Sequence, residues 1–251
     1  MNYNIKGFEK INFLVKFLKD EYVESLLSGN LHMNNFQFFI DLERKSNVKG
    51  QGDKLEAGFV SRGTKIKLID PKTKKVIGTA RKAELIERYT DVPKVPLFCF
   101  TWFNHRDMKI TGETEKSFTV KINLSEEEKE LFVKDFGDTA VVLPGDFMEI
   151  LINSAKEQNK RAQIKSVIYC DYDIYDSERK KLFDEASLDM FYWKDEFFKY
   201  QREVRFILPE TRSNEAVNFK FESIEKRAIV MKTTELLETA EFELPKESLI
   251  D

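Results

Sequence analysis

The sequence predicts an α+β fold of mixed, mostly antiparallel sheets with intervening helices, and three observations carry that reading. Short apolar stretches alternate with polar residues at strand period, as in Ile11, Phe13, Val15 and Phe17 and again in Phe118, Val120 and Ile122. Helical signals with their own punctuation stand between them: Gly29 after an amphipathic turn, Ser125 with Glu128 as a capping box, and Pro144-Gly145-Asp146 ahead of an apolar helix. No repeat, low-complexity tract or linker divides residues 1–251, so a single α+β domain is expected.

In chain order, the strand around Phe13 gives way at Asp20 to a short helix over Tyr22, Val23, Leu26 and Leu27. Asn30 to Asn34 then reads as a short strand, with Leu31 and Met33 on one face and His32 on the other. Phe36, Phe39, Ile40 and Glu43 fall at helical spacing. Ser46 to Gly58, SNVKGQGDKLEAG, is polar and glycine-rich and is expected to be a mobile loop. Lys65 to Asp70 and Lys75 to Ala80 form a hairpin around Pro71-Lys72-Thr73-Lys74. After Pro93 and Pro96, the apolar run Leu97 to Phe103 is short enough to be a buried strand.

The helix opened by Ser125 runs through Phe132 and Val133. Val141 to Leu143 is a strand, Phe147 to Gln158 a helix, Val167 to Tyr169 a strand, and Ser177 to Ala186 a charged helix. The aromatic cluster Phe191-Tyr192-Trp193 follows. Phe197 to Pro209, FFKYQREVRFILP, begins at helical spacing and becomes a strand in which Val204, Phe206 and Leu208 alternate with Arg205 and Ile207. Strands at Asn218 to Glu222 and Ala228 to Met231 close the fold.

Composition narrows the function classes. The formal charge is −3, so bulk nucleic-acid binding through a generally basic surface is not expected, although a local basic groove stays open. Two histidines, His32 and His105, argue against a histidine-rich zinc site. Cys99 and Cys170 lie in apolar runs and read as buried reduced thiols of a cytoplasmic protein. The charged N-terminus does not read as a signal peptide, and no apolar stretch reaches spanning length, so no membrane partner is expected. An oligomer is left open.

Four places invite chemistry. His32 could contact a substrate, or be a surface histidine bonded locally. Gly50-Gln51-Gly52-Asp53-Lys54-Leu55-Glu56 could cradle a phosphate or contribute acids to a magnesium site, but it fits no phosphate-loop fingerprint, and a solvated loop is the plainer reading. Thr101 could orient a carboxylate from a strand end, or simply belong to a core strand. Gln201-x-Glu203 is the most specific pattern, because residues two apart on a strand share a side. A glutamate there can stabilise an oxocarbenium-like centre while the glutamine orients an incoming group, with Arg202 and Arg205 setting the charge; the plainer reading is an Arg–Glu pair at a sheet edge.

The succession Ser28 to Asn34, Phe36 to Phe39, Gly52-Asp53-x-x-Glu56, Leu97 to Thr101 and Tyr200-Gln201-x-Glu203-x-Arg205-Phe206 resembles a group of bacterial and phage proteins, in scattered blocks between about residues 20 and 210. The same order is similar to the ADP-ribosyltransferase superfamily, including DarT-like enzymes. That resemblance implies a split sheet around NAD as co-substrate. His32 would contact the adenine-side ribose, Thr101 would lie on the middle strand, and Tyr192 or Tyr200 would clamp nicotinamide. Gln201 would guide the acceptor, and Glu203 would be the catalytic carboxylate on the nicotinamide ribose. It implies transfer of ADP-ribose to a protein or nucleic-acid acceptor, in the setting of phage–host conflict. The alternative is a non-enzymatic, phage- or mobile-element-encoded module that docks on a host defence protein through Phe36 to Phe39 and Phe191 to Trp193.

Overall fold

The computed structural model describes residues 8–249. The chain runs β1 (Asn12–Leu18), α1 (Val23–Leu27), β2 (Asn30–Asn35), α2 (Phe36–Ser46), β3 (Phe59–Ile69), β4 (Val76–Glu87) and β5 (Pro96–Asn104). It continues through β6 (Met108–Glu113), β7 (Ser117–Ile122), α3 (Glu126–Phe136), β8 (Thr139–Val142), α4 (Phe147–Glu157), β9 (Gln163–Ser166), β10 (Ile168–Cys170) and α5 (Ser177–Asp184). It ends with β11 (Trp193–Asp195), β12 (Glu203–Ile207), β13 (Val217–Lys220), β14 (Ile229–Lys232), α6 (Thr233–Glu238) and β15 (Phe242–Pro245). The fold is mixed α+β with mostly antiparallel pairing; the pairing of β10 with β11 is parallel. Among the described residues, no helix is long and apolar enough to cross a membrane.

The main sheet is organised around β5. Thr101 pairs with Val15 of β1 and with Glu203 of β12, so those two strands lie on opposite edges of β5. Leu97 pairs with Asn34 of β2 and with Ile207 of β12, which puts β2 on the same edge as β1. The two neighbours diverge along that edge, since β1 leaves to pair with β8 and β2 to pair with β13. Between them the Lys16 ammonium donates to the Cys99 carbonyl at 2.7 Å, supplying a partner that no strand provides.

Side-chain alternation divides the core between the two faces of this sheet. Leu14, Phe98, Phe100, Val204 and Phe206 pack on one face under Phe147, Ile150 and Leu151 of α4. The other face carries two clusters. Val15, Phe17 and Phe103 meet Phe132 of α3, while Leu97 and Ile207 meet Phe36 of α2 and the Phe191–Trp193 segment. The charged site lies on this second face, on the strand that carries Ile207.

The helix ends follow their sequence signals. Ser125 and Glu128 form a reciprocal capping box, and Asn35 caps α2 by accepting the Phe38 N–H. Gly29 ends the first helical segment at φ +84°, and a Cβ there would lie 2.2 Å from the Phe221 carbonyl oxygen. A Gly29→Ala variant should therefore lose about 2 kcal/mol or more, read as a lower denaturant midpoint with unchanged slope.

Candidate functional site

Every residue of β12 is buried. Directly opposed residues share a face, so Glu203 and Arg205 stand on the same side as Thr101 and Cys99 of β5. Two charges inside a core require partners. Arg205 donates from Nε to Glu203 Oε1 at 2.6 Å, from one terminal nitrogen to Glu56 Oε1 at 2.6 Å, and from the other to the Phe191 carbonyl at 2.6 Å. Lys194 of β11 donates to Glu203 Oε2 at 2.7 Å and to Gln201 Oε1 at 2.8 Å, and its ammonium stands 3.6 Å from Glu56. The Glu203 N–H itself donates to the Tyr169 hydroxyl at 2.8 Å.

The glycine-rich segment before β3 is part of this site, which corrects the expectation of a mobile loop. Gly50, Gly52, Asp53 and Leu55 to Gly58 are buried. Asp53 N–H donates to the Phe39 carbonyl at 3.2 Å, and Glu43 of α2 accepts the Lys54 N–H at 2.8 Å. A Cβ at Gly52 would come within 2.6 Å of the Glu43 backbone nitrogen, so the close approach needs glycine. These backbone groups of the loop find partners in the protein, and Glu56 answers the cations of β11 and β12.

The ionisation follows from a count of charges. Burial alone would raise the Glu203 carboxyl, but Arg205 and Lys194 outweigh it and hold the group well below the usual carboxylate range. Burial likewise works against the Lys194 ammonium, and Glu203 and Glu56 hold it up. Glu203 and Glu56 are ion-paired with Arg205 and Lys194, whereas Asp53 is in no ion pair among the described residues. Burial, with Glu56 beside it, pushes Asp53 up to about 7, and its Oδ2 has no hydrogen-bond partner among the described residues. Burial also drives the Cys99 thiol well up, with Glu203 adding to the effect, so this cysteine is not an activated nucleophile. Both cysteines are free.

Glu203, Gln201 and Thr101 come together. With Lys16 and Cys99 they line a cavity of about 40 Å³, room for about one water molecule. Glu203 also borders an outer groove of about 510 Å³ whose walls include Trp102, Tyr169, Lys199, Tyr200 and Arg202. That volume falls within the range of small-molecule sites. Tyr200 joins the network from its groove side, donating to Asp135 at 2.5 Å and accepting from Gln201 at 3.2 Å.

Other expectations need correction. His32 is exposed on β2, opposite Asn218, because Leu31 and Met33 take the buried face, and it takes no part in the network. Tyr192 is enclosed in the core and its hydroxyl is unpartnered, so it lines neither cavity nor groove. The aromatic docking surfaces are also internal: Phe36 stacks on Phe191 at 5.3 Å, Trp193 is buried, and Phe38 is the exposed member. Arg202 turns away from Glu203 and pairs with Asp107 at 2.6 Å and Glu128 at 2.9 Å. Asp53 and Glu56 face cations, and no group of His, Cys, Asp or Glu among the described residues is placed to hold a metal ion.

Lys194 is the member of the network that sequence reasoning missed; Glu56 was singled out as a loop acid, but not as a partner of Arg205. A usable signal existed for Lys194, a lone cation inside the aromatic run Phe191-Tyr192-Trp193-Lys194 with Phe197 and Phe198 beyond. Comparison of the chain with protein-family models, curated proteins and solved structures finds no match in any of the three.

Two outcomes test this electrostatic arrangement. Folding binds the Asp53 proton more tightly than the unfolded chain does, so its stabilisation is full at acid pH and is lost as pH rises through about 7. Wild type should be about 3 kcal/mol less stable at pH 8 than at pH 5 through this group, and Asp53→Asn should flatten that dependence in denaturant titrations. Lys194→Met leaves buried carboxylates without their cation and should lower stability by about 3–5 kcal/mol at neutral pH.

Proposed function

We propose that the chain is an ADP-ribosyltransferase-like enzyme that binds NAD in the groove beside Glu203 and transfers ADP-ribose to a macromolecular acceptor. The observation that carries this reading is an ionised glutamate at the mouth of a strand. It borders a groove of ligand size on one side and meets Thr101 and Gln201 on the other. The divergence of β1 and β2 along one edge of β5 supports it, because it opens the sheet between Leu97 and Thr101, where Lys16 rather than a strand meets the Cys99 carbonyl.

In the reaction, the bond between nicotinamide and ribose breaks and its electron pair leaves with nicotinamide. The ribose becomes oxocarbenium-like, and a fixed carboxylate nearby stabilises that charge as it develops. Glu203 uses one oxygen for Arg205 and the other for Lys194. Each oxygen keeps a further lone pair, so a ribose hydroxyl can add to these bonds without displacing them. Gln201 orients the acceptor nucleophile once its Nε2 releases the Gly50 carbonyl; the nucleophile bonds to the ribose carbon and gives up its proton to water. Trp102 and Tyr169 offer ring faces for nicotinamide, and Lys199 offers charge for the pyrophosphate.

Calorimetric titration of NAD into wild type, Glu203→Gln and Trp102→Ala tests the proposal. Wild type should bind saturably and release nicotinamide when cell lysate supplies an acceptor. Glu203→Gln should retain binding and lose release, and Trp102→Ala, whose ring lies outside the core, should bind about tenfold more weakly. No heat and no nicotinamide release from the folded wild type, with lysate present, would overturn the reading.

A further inference from the structure

The β3–β4 hairpin forms a two-stranded sheet of its own. Its base is anchored, with Phe59 and Val60 in the core and Arg62 bridging Glu84 and Asp173 at 2.8 and 2.6 Å. Beyond that base, no residue from Ser61 to Leu85 is buried. Strands of 11 and 12 residues make an arm roughly 35 Å long. A hairpin without a third strand or a helix to cover it is marginal in water, so its length and composition need another explanation.

The composition points to a polyanion. Residues 64–83 hold seven basic side chains, Lys65, Lys67, Lys72, Lys74, Lys75, Arg81 and Lys82, against one acid, Asp70. Asp70 is occupied within the turn, where its carboxylate accepts the Lys72 and Thr73 N–H groups at 2.7 and 3.0 Å. None of the seven cations forms an ion pair with any described residue. The whole chain is −3, so everything outside the arm is net acidic and the arm is the concentrated positive end.

Four aliphatic side chains, Leu68, Ile69, Val76 and Ile77, are each more than half exposed just behind the turn. Their position discriminates between partners. Lys72, Lys74 and Lys75 lie beyond them, so pushing the tip into a bilayer would carry the ammonium groups deepest, the reverse of a stable insertion. In a nucleic-acid groove the same order is favourable: aliphatics meet base edges while the flanking lysines reach phosphates. A two-stranded ribbon fits the major groove of B-form DNA, about 12 Å wide, and not the deep, narrow one of A-form RNA.

We infer that the β3–β4 hairpin is a DNA-binding arm, a basic ribbon that enters the major groove of a B-form duplex and neutralises the phosphates along it. The inference stands apart from the transferase reading, since it needs neither NAD nor Glu203.

The test is fluorescence anisotropy of a labelled random-sequence DNA duplex of about two helical turns, titrated with the full chain without NAD. Salt is varied from about 50 to 200 mM. Wild type should bind saturably, with log affinity falling linearly in log salt. The variant Lys72→Gln, Lys74→Gln, Lys75→Gln should reduce that slope by about 2–3 and bind at least about tenfold more weakly at the lowest salt, with unchanged thermal unfolding. A second variant, with residues 65–81 replaced by Asn-Gly, should abolish binding and leave the sheet around β5 intact by circular dichroism. No binding by wild type at low salt, or an unchanged slope in the triple variant, would overturn the proposal. Equal binding of an RNA duplex, or binding of anionic lipid vesicles instead of DNA, would overturn it as well.

Discussion

The guanidinium of Arg205 has no exposed surface. Moving such a charge out of water is tolerated only where counter-charges and hydrogen bonds replace the lost hydration. That requirement fixes the positions of three groups, one of them far away in sequence. Glu203 lies two residues away on the same strand, Glu56 comes from the loop before β3, and the Phe191 carbonyl precedes β11. Removing any one of them leaves a donor unsatisfied inside the core. The glycine-rich loop is therefore held inside by electrostatic demand rather than by apolar burial, and Gly52 allows the approach to α2.

The second cation follows from the first. One guanidinium cannot neutralise two carboxylates, and Lys194 completes the balance while tying Gln201 to the same centre. A third acid in such a place cannot be ionised without a further counter-charge, and Asp53 accordingly holds its proton into the neutral range. A buried network of this kind adds little net stability compared with an apolar core of equal volume. What it supplies here is a fixed, charged carboxylate next to a groove, which is the property a group stabilising a cationic reaction centre needs.

The elements that could be recognised from sequence are those whose signals are local. The capping box at Ser125, the Gly29 stop, the alternation of Phe13 to Phe17 and the turn around Pro71 each involve contacts within a few residues, and each is realised. β6 and β15 were not recognised because their runs, Met108 to Glu113 and Phe242 to Pro245, are short and interrupted by charge, glycine or proline, and both depend on β7 for pairing. At the site, strand period pairs Gln201 with Glu203, but Gln201 ends a 3-10 turn outside β12, and the left-handed Arg202 between them is what lets both face inward. Thr101 could be placed by its position on an apolar strand. Asp53 and Glu56 were visible as residues, but a polar loop looks solvated until its cations are located elsewhere in the chain. The error over Phe36 and Phe191 to Trp193 has the same origin: whether an aromatic cluster is surface or core depends on what the rest of the chain lays over it, here α2 and Arg205, whose guanidinium stands 5.4 Å from the Phe36 ring centre.

Arg202 shows how a sealed charge cluster and an open groove share one wall. It lies between Gln201 and Glu203 with φ +46°, a conformation that strains a residue with a side chain by about 1 kcal/mol or more. Its neighbours leave it little choice, because both are bonded inward to Lys194. The left-handed turn sends the Arg202 side chain outward, where Asp107 and Glu128 hold it, and its carbonyl still accepts the Trp102 N–H at 3.0 Å. Ion pairs on both sides of one peptide thus sustain the strained conformation. They also keep the Glu203 end of β12 at a constant distance from Trp102, the two features on which recognition of a flat, charged ligand in this groove would depend.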